Sequence, residues 1–432
     1  MSPPGKVICI FYFVYKDDGT LCCYPPQLSG MAQSDPNSAL SNVFRLMSGD
    51  TCENDVLQGL HQLAQNGVDL NSVYTQRLAV HHGVDGGPEW VQHQHTMSHL
   101  QPMHWDGMSL SLLQAACLYK RVQAVEFLLQ QKANLGYKDE VSGCTAMFYA
   151  VTIAPTGCAS QNNSTVLHSV VAILRLLLEH GADLSETDRT GGTVLHHLVF
   201  SEHFQRMYDN AWCQEQDSPG LYCEILRHCF PDILCFLYEN VAFRMLQLVN
   251  HVDGNGCTAL MRAAHHNPWM VQPMLQQFHP VLNLCKRDPA GNTVLHVLFQ
   301  PILPTQLETL QGGSDGMLLQ RNLIRNCQRS EALQAILATH LDASAINARG
   351  ATCFADFETE LQARTVRRNT GAYAAAFQPL LLQEQQDVNR CSELLEPIST
   401  KNTRDKVLEF MSANHPLLPG HISQHIAAYA LS

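Results

Sequence analysis

Apolar residues return every three to four positions through long stretches of this chain, as in VLQGLHQLAQNGVDLN (Val56 to Asn71), VEFLLQQKANL (Val125 to Leu135) and ILRLLLEHGADL (Ile173 to Leu184). That spacing predicts amphipathic helices, each with one apolar face to bury. From Ser111 onward, Leu113, Ala116, Val122, Val125, Leu128 and Leu129 make up the apolar faces of two such helices, and the small Ala115 and Ala116 let the pair approach closely. Gly67 and Gly181 follow their helices where a left-handed residue ends a helix. Lys132 takes that place after the Ser111 pair, at a cost of about 1 kcal/mol.

The N-terminus has a different pattern. Val7 to Tyr15 (VICIFYFVY) is continuously apolar, too short to span a bilayer and without a small-residue cleavage site. It reads as a strand. Lys16 to Thr20 then supplies turn chemistry, Leu21 to Tyr24 returns, and Pro25-Pro26 stops the pairing, so a short β-hairpin is expected.

Between the helical stretches the phrase Asp-x-x-Gly-x-Thr-x-Leu recurs, at Asp188 to Leu195, Asp253 to Leu260 and Asp288 to Leu295. Each copy opens an apolar helical run, the mark of repeated architecture. The unit reads helix, helix, loop, and it starts at Ser111, Thr145, Thr193, Thr258, Thr293 and, in degraded form, Thr352. Each Thr is placed to accept a hydrogen bond from an unpaired N–H of the first helical turn, a cap that stabilises by about 1 kcal/mol. Gly191, Gly256, Gly291 and Gly350 stand two residues earlier, where the loop needs positive φ. Asp188, Asp253, Asp288 and Asn347 precede them and can tie the turn to its own backbone.

This pattern resembles the ankyrin repeat. The resemblance implies an all-α fold, a solenoid of stacked helix-turn-helix units with hairpin-like loops, joined here by the short N-terminal β-hairpin and a helical C-terminal region. It also implies that His196 and His296 organise their turns rather than act in catalysis. Two departures stand out: no unit has the proline that usually follows the threonine, and only Thr193 and Thr293 keep the His of Thr-x-Leu-His.

Thr258 to Thr293 fits the family period, whereas the intervals from Thr193 to Thr258 and from Thr293 to Thr352 are much longer. The extra chain is read as insertions between paired helices, around Pro155 to Thr165, His203 to Gly220 and Pro301 to Gly316, with a degenerate extra repeat over Leu221 to Val249 as the alternative. The expected organisation is a strand segment over 1–38, a half-repeat or cap with a His-rich insertion over 39–106, a repeat stack over 107–382 and a helical cap or tail over 383–432.

Composition narrows the function. Charged residues are 15% and hydrophobic ones 45%, which suits packed helices rather than disorder. A formal net charge of −12, with 27 Lys and Arg against 39 Asp and Glu, argues against a nucleic-acid partner. The sixteen cysteines lie scattered in apolar helical stretches and read as reduced, so a cytoplasmic protein is expected, in a host cytoplasm if it is a microbial effector. No phosphate-cradling loop, nucleophile elbow or His-Glu-x-x-His occurs. The histidines from His81 to His104 read as a polar insertion rather than a metal site, because glycines and a proline interrupt them and no cysteine accompanies them.

The expected function is therefore a non-enzymatic, monomeric scaffold or adaptor without cofactor, binding a protein partner and neither nucleic acid nor membrane. Carried over from the resemblance, the contact surface is the concave face of the stack and includes Leu118, Tyr119, Thr152, Arg189, Phe200, Asn255, His265, His266 and Asn292, with Tyr119 and Phe200 as the aromatic anchors. The alternative is a ubiquitin-ligase substrate adaptor, from a loose similarity of Asn402 to Leu431 to the ligase-linking box, or a microbial effector with an activity outside the repeats. A helix pair closing the stack is the plainer reading of that tail.

Overall fold

The computed structural model describes residues 7–15, 21–24, 36–48, 52–81, 109–152, 163–200, 229–239, 247–300, 325, 327–359 and 382–397. They are mostly helical. The chain divides into two compact units, Met1–Gly254 and Asn255–Ser432.

In the first unit the helices come in packed pairs: α1 (Pro36–Ser48) with α2 (Glu53–Gln65), α3 (Leu112–Leu118) with α4 (Val122–Gln130), and α5 (Ala146–Val151) with α6 (Asn163–Glu179). First helices pack on first helices, α1 on α3, α3 on α5 and α5 on α7 (Val194–Val199), and second on second, α2 on α4 and α4 on α6. Each pair therefore buries its apolar face against the next, which is how short repeats acquire a core. Leu113, Ala116, Val125, Leu128 and Leu129 are buried as their spacing predicts, while Val122 is half-buried at the edge.

The helix α2, which opens the segment read from Val56 onward as a half-repeat or cap, packs on α1. Leu40, Val43, Phe44 and Met47 form the buried stripe of α1 at the i, i+3, i+4, i+7 spacing. Gly59 of α2 has no side chain because Val43 leaves no room: a Cβ there would lie 2.9 Å from the Val43 Cγ2.

The strands form a four-stranded sheet in the order β2-β1-β3-β4, more than the expected pair. β1 (Val7–Tyr15) runs antiparallel to β2 (Leu21–Tyr24), with Tyr15 opposite Leu21, and parallel to β3 (Val73–His81), with Val7 opposite Tyr74. β3 in turn pairs antiparallel with β4 (Ser109–Ser111). β3 leaves α2 and β4 leads into α3, so the sheet is built on the loop between two helix pairs. Ser111 ends β4 and caps α3 through a reciprocal box, accepting from the Gln114 N–H at 3.2 Å while its own N–H donates to Gln114 Oε1 at 2.9 Å. The histidines from His82 to His104, on the β3–β4 connection, lie outside the described residues, as do the other expected insertions, except for the helical backbone from residue 163.

In the second unit α8 (Ala259–His266), a single 3-10 turn (Pro268–Met270) and α9 (Val271–Phe278) make one pair. α10 (Val294–Phe299) packs on α8, and α11 (Arg329–Leu337) packs on α9 and α10. The Phe299 and Phe357 rings meet with centroids 4.9 Å apart. Residues 382–397 form a further helix whose Val388, Cys391 and Leu395 are buried. Its Asp387 Oδ1 accepts the Ser330 N–H at 3.0 Å. The ligase-like segment from Asn402 onward lies outside the described residues. Over Leu221 to Val249, residues 229–239 are helical, with Arg175 of α6 stacked over Phe236.

The loop glycines separate two reasons for glycine. Gly291 has φ +75° and a Cβ there would sit 2.7 Å from the Ala348 backbone nitrogen, whereas Gly350 has φ +71° and nothing within 4 Å. Gly350→Ala should cost only the left-handed strain, about 1–2 kcal/mol. Gly291→Ala should cost a further ~1–3 kcal/mol, because backbone must move. Denaturant melts of the two variants that gave equal losses would contradict this packing.

Candidate functional site

The loops that open the first helices are held by their acidic or amide residue. Asp188 Oδ1 accepts from the Thr190 N–H, the Thr190 hydroxyl and the Gly192 N–H at 2.7–2.9 Å. Asp288 Oδ1 accepts from the Asn292 N–H at 2.8 Å, and Asn347 Oδ1 from the Arg349 and Ala351 N–H groups at 3.0 Å. The sequence reading missed one such residue, Asp139, because its loop carries an extra residue before Gly143. Asp139 is 2% exposed and binds the N–H groups of Val141, Ser142 and Cys144, the Ser142 hydroxyl and, at 3.1 Å, the Tyr149 hydroxyl.

Consecutive loops are also joined backbone to backbone. Arg189 N–H donates to the Ser142 carbonyl at 2.8 Å and Gly254 N–H to the Thr190 carbonyl at 2.7 Å. In the second unit Ala348 N–H donates to the Ala290 carbonyl at 2.8 Å. Each of these three bonds fixes the spacing between the two loops it joins.

The threonine caps are of two kinds. Thr258 and Thr352 accept from the N–H three residues on, at 3.3 and 3.4 Å. At Thr193 and Thr293 the following histidine closes the turn: each Thr N–H donates to the Nδ1 of His196 or His296 at 3.2 Å. The Nε2–H of His296 reaches the Ala351 carbonyl at 3.1 Å. These buried histidines organise turns, as expected. Thr145 makes no side-chain cap.

Of the nine expected contact residues, six reach the surface. Arg189 and Asn255 are exposed, and Tyr119, Phe200, His265 and His266 are half-buried. Tyr119 and Phe200 follow the last residues of α3 and α7, the same place in their units. His265 and His266 pack edge to face, with centroids 4.4 Å apart.

The other three are corrections. Leu118 is 0% exposed, because the helical face it shares with Ala115 is the one packed on neighbouring helices. Thr152 is 5% exposed, its hydroxyl donating to the Phe148 carbonyl at 2.9 Å. Asn292 is 2% exposed; its amide donates to Asp288 at 2.8 Å and accepts from Asn347 at 3.0 Å, tying two loops together. Pattern alone placed these residues at the surface; helix packing withdraws Leu118, and hydrogen bonds withdraw Thr152 and Asn292.

Cations at the C-terminal ends of first helices went unread in the sequence. Lys120 is 6% exposed at φ +57°, and its Nζ donates to the carbonyls of Cys117 (2.9 Å), Tyr149 (3.0 Å), Ala150 (2.8 Å) and Thr152 (2.5 Å). Arg121 reaches back to the Met47 carbonyl at 3.0 Å, at the end of α1. In the second unit Arg325 and Arg329 both point to the Gln300 carbonyl, just past α10, at 3.2 and 3.5 Å. Terminal carbonyls lack helical partners and carry the negative end of the helix dipole, so a cation satisfies both.

Three buried cysteines are poor nucleophiles. Burial pushes the Cys117 thiol up to about 12 against the opposing pull of Lys120, and the Cys353 thiol up to about 12, with Asp356 adding to the effect. Cys144 is raised well above the usual thiol range, first by burial, then by Asp139 and Asp188 against the opposing Ser142 hydrogen bond and Lys138. A thiol held protonated does not attack.

Residues 164–208 match the family model described as Ankyrin repeats (many copies). No curated protein matches the chain. Among solved structures, one described as the Bd0816 predatory endopeptidase from Bdellovibrio bacteriovorus in complex with immunity protein Bd3460 is similar at 16% identity and a TM-score of 0.32, covering 64% of this chain and 96% of that chain. No described helix is long and apolar enough to cross a membrane.

Proposed function

We propose, for a chain that carries ankyrin repeats, a non-enzymatic scaffold or adaptor that binds a protein partner through the concave face of its repeat stack, made by loops and first-helix residues. The stack is read as a solenoid, and the protein as a cytoplasmic monomer that binds neither nucleic acid nor membrane. The observation that carries the reading is the loop ladder: bonds such as Arg189 N–H to Ser142 C=O hold neighbouring units at fixed spacing. Side chains on such a frame are already ordered, so association costs less conformational entropy. In the first unit Tyr119, Arg189 and Phe200 offer the contacts, and in the second Asn255, His265 and His266. Half-buried aromatics at repeated positions suit anchors, since a few such residues supply most interface energy.

The test is affinity capture from cell lysate followed by mass spectrometry, repeated with Tyr119, Phe200, His265 and His266 all replaced by Ala. Loss of the same captured protein, with the helical circular-dichroism signal retained, is the expected result. Undiminished capture would reject this surface. Loss on deletion of Asn402 to Ser432 instead would move the site to the tail.

A further inference from the structure

Beyond partner binding, the loop ladder of the first unit contains a cluster with metal-ligand chemistry. Cys144 Sγ, a carboxylate oxygen of Asp188 and a ring nitrogen of His197 all lie within 4.8 Å of one another. They come from two successive loops and the helix that follows the second: Cys144 precedes the Thr145 cap, Asp188 opens the next loop, and His197 lies on α7. Cys144 and His197 are 1% and 7% exposed, while Asp188 is half-buried and borders solvent.

The hydrogen bonds decide how His197 presents itself. The Thr152 hydroxyl donates its proton to the Phe148 carbonyl at 2.9 Å, so toward His197 Nε2, 3.0 Å away, it acts as acceptor. Nε2 therefore carries the proton, and Nδ1, 4.0 Å from Cys144 Sγ, is the nitrogen with the lone pair. Fixing the tautomer through the other ring nitrogen is how proteins prepare a histidine ligand. Asp188 has likewise committed Oδ1 to its own loop, and no hydrogen bond to Oδ2 is present among the described residues.

We propose that Cys144, Asp188 and His197 bind one borderline-soft divalent cation of the zinc class, with water as fourth ligand, clamping the loops of two neighbouring repeats. Sulfur, imidazole and carboxylate are the ligand types zinc takes, at roughly 2.3, 2.0 and 2.0–2.2 Å. Around one tetrahedral ion those atoms would stand roughly 3.3–3.8 Å apart, so a contraction of about 1 Å completes the site. Charge balances: a thiolate and a carboxylate neutralise one divalent cation, and the thiol proton leaves to solvent on binding. The plain competitor is an S–H···N hydrogen bond from Cys144 to Nδ1, which needs no carboxylate.

The full-length chain, reduced and freed of metal, is titrated with cobalt(II) and then zinc(II). Wild type should show a thiolate-to-cobalt charge-transfer band that zinc removes, and zinc should raise its melting temperature. Cys144→Ser should lose one equivalent of that band, while Cys257→Ser, at the matching position of another loop, should keep it. Asp188→Asn keeps an amide oxygen for the loop N–H groups, so it tests the carboxylate in a folded chain. It should weaken cobalt binding on the order of tenfold or more, as should His197→Gln. Equal cobalt binding by wild type, Cys144→Ser and Asp188→Asn would overturn the site. If Cys144→Ser does not fold, unchanged affinity in both Asp188→Asn and His197→Gln overturns it just as well.

Discussion

Replacing Lys120 with Met is expected to lower the stability of the first unit by about 3–5 kcal/mol. The ammonium is buried, and its three N–H groups are shared among four carbonyl oxygens within hydrogen-bonding distance, one at the end of α3 and three at the end of α5. A hydrogen bond to a charged group is worth about 1.5–3 kcal/mol, and each buried carbonyl left without a donor costs about 1–3 kcal/mol. These terms overlap, so their sum is not the prediction. Methionine fills the same space without a proton and leaves the carbonyls facing a thioether. Lys120→Gly refines the test, because Lys120 sits at φ +57°. Glycine relieves about 1 kcal/mol of left-handed strain and opens a path for water, so it should fall between wild type and Met. Denaturant melts followed by circular dichroism give the order. A Met variant as stable as wild type would mean that the cage does not hold the two helices.

Leu128→Ala is expected to cost about 2–5 kcal/mol. Leu128 is 0% exposed on α4, which packs on both α2 and α6, so removing its side chain opens a void in a buried face. The spread reflects how far such a site can collapse. Glu126 on the exposed side of the same helix is the control, and its change to Ala should stay within about 0.5 kcal/mol. Melts that put the two variants together would show that α4 does not bury the face assigned to it.

Much of the repeat was legible because its signals are local. Helical spacing marked the buried faces of α3 and α4, and the Asp, Gly and Thr of the phrase marked the loops, since a turn that needs positive φ and an Asx tie can be read from a few adjacent residues. Lys132 at φ +60° stands where a glycine was expected. The roles of His196 and His296 were legible for the same reason, as each bonds a residue three positions away. Asp139 escaped because one extra residue broke the spacing, and α1 escaped because no phrase announces it.

The candidate surface was less legible. Leu118, Thr152 and Asn292 occupy positions that pattern assigns outward, yet Thr152 and Asn292 are buried by bonds to His197 and Asn347, partners far along the chain. The parallel pairing of β1 with β3 joins segments separated by two helices, and nothing in either strand names the other. Local conformational preference and apolar spacing thus determined which segments become helices and where their loops turn. Tertiary structure alone decided which cation caps which helix, which thiol meets which imidazole, and which polar residues are withdrawn from the surface. Those outcomes depend on distances between residues from different repeats, which exist only once the pairs have stacked.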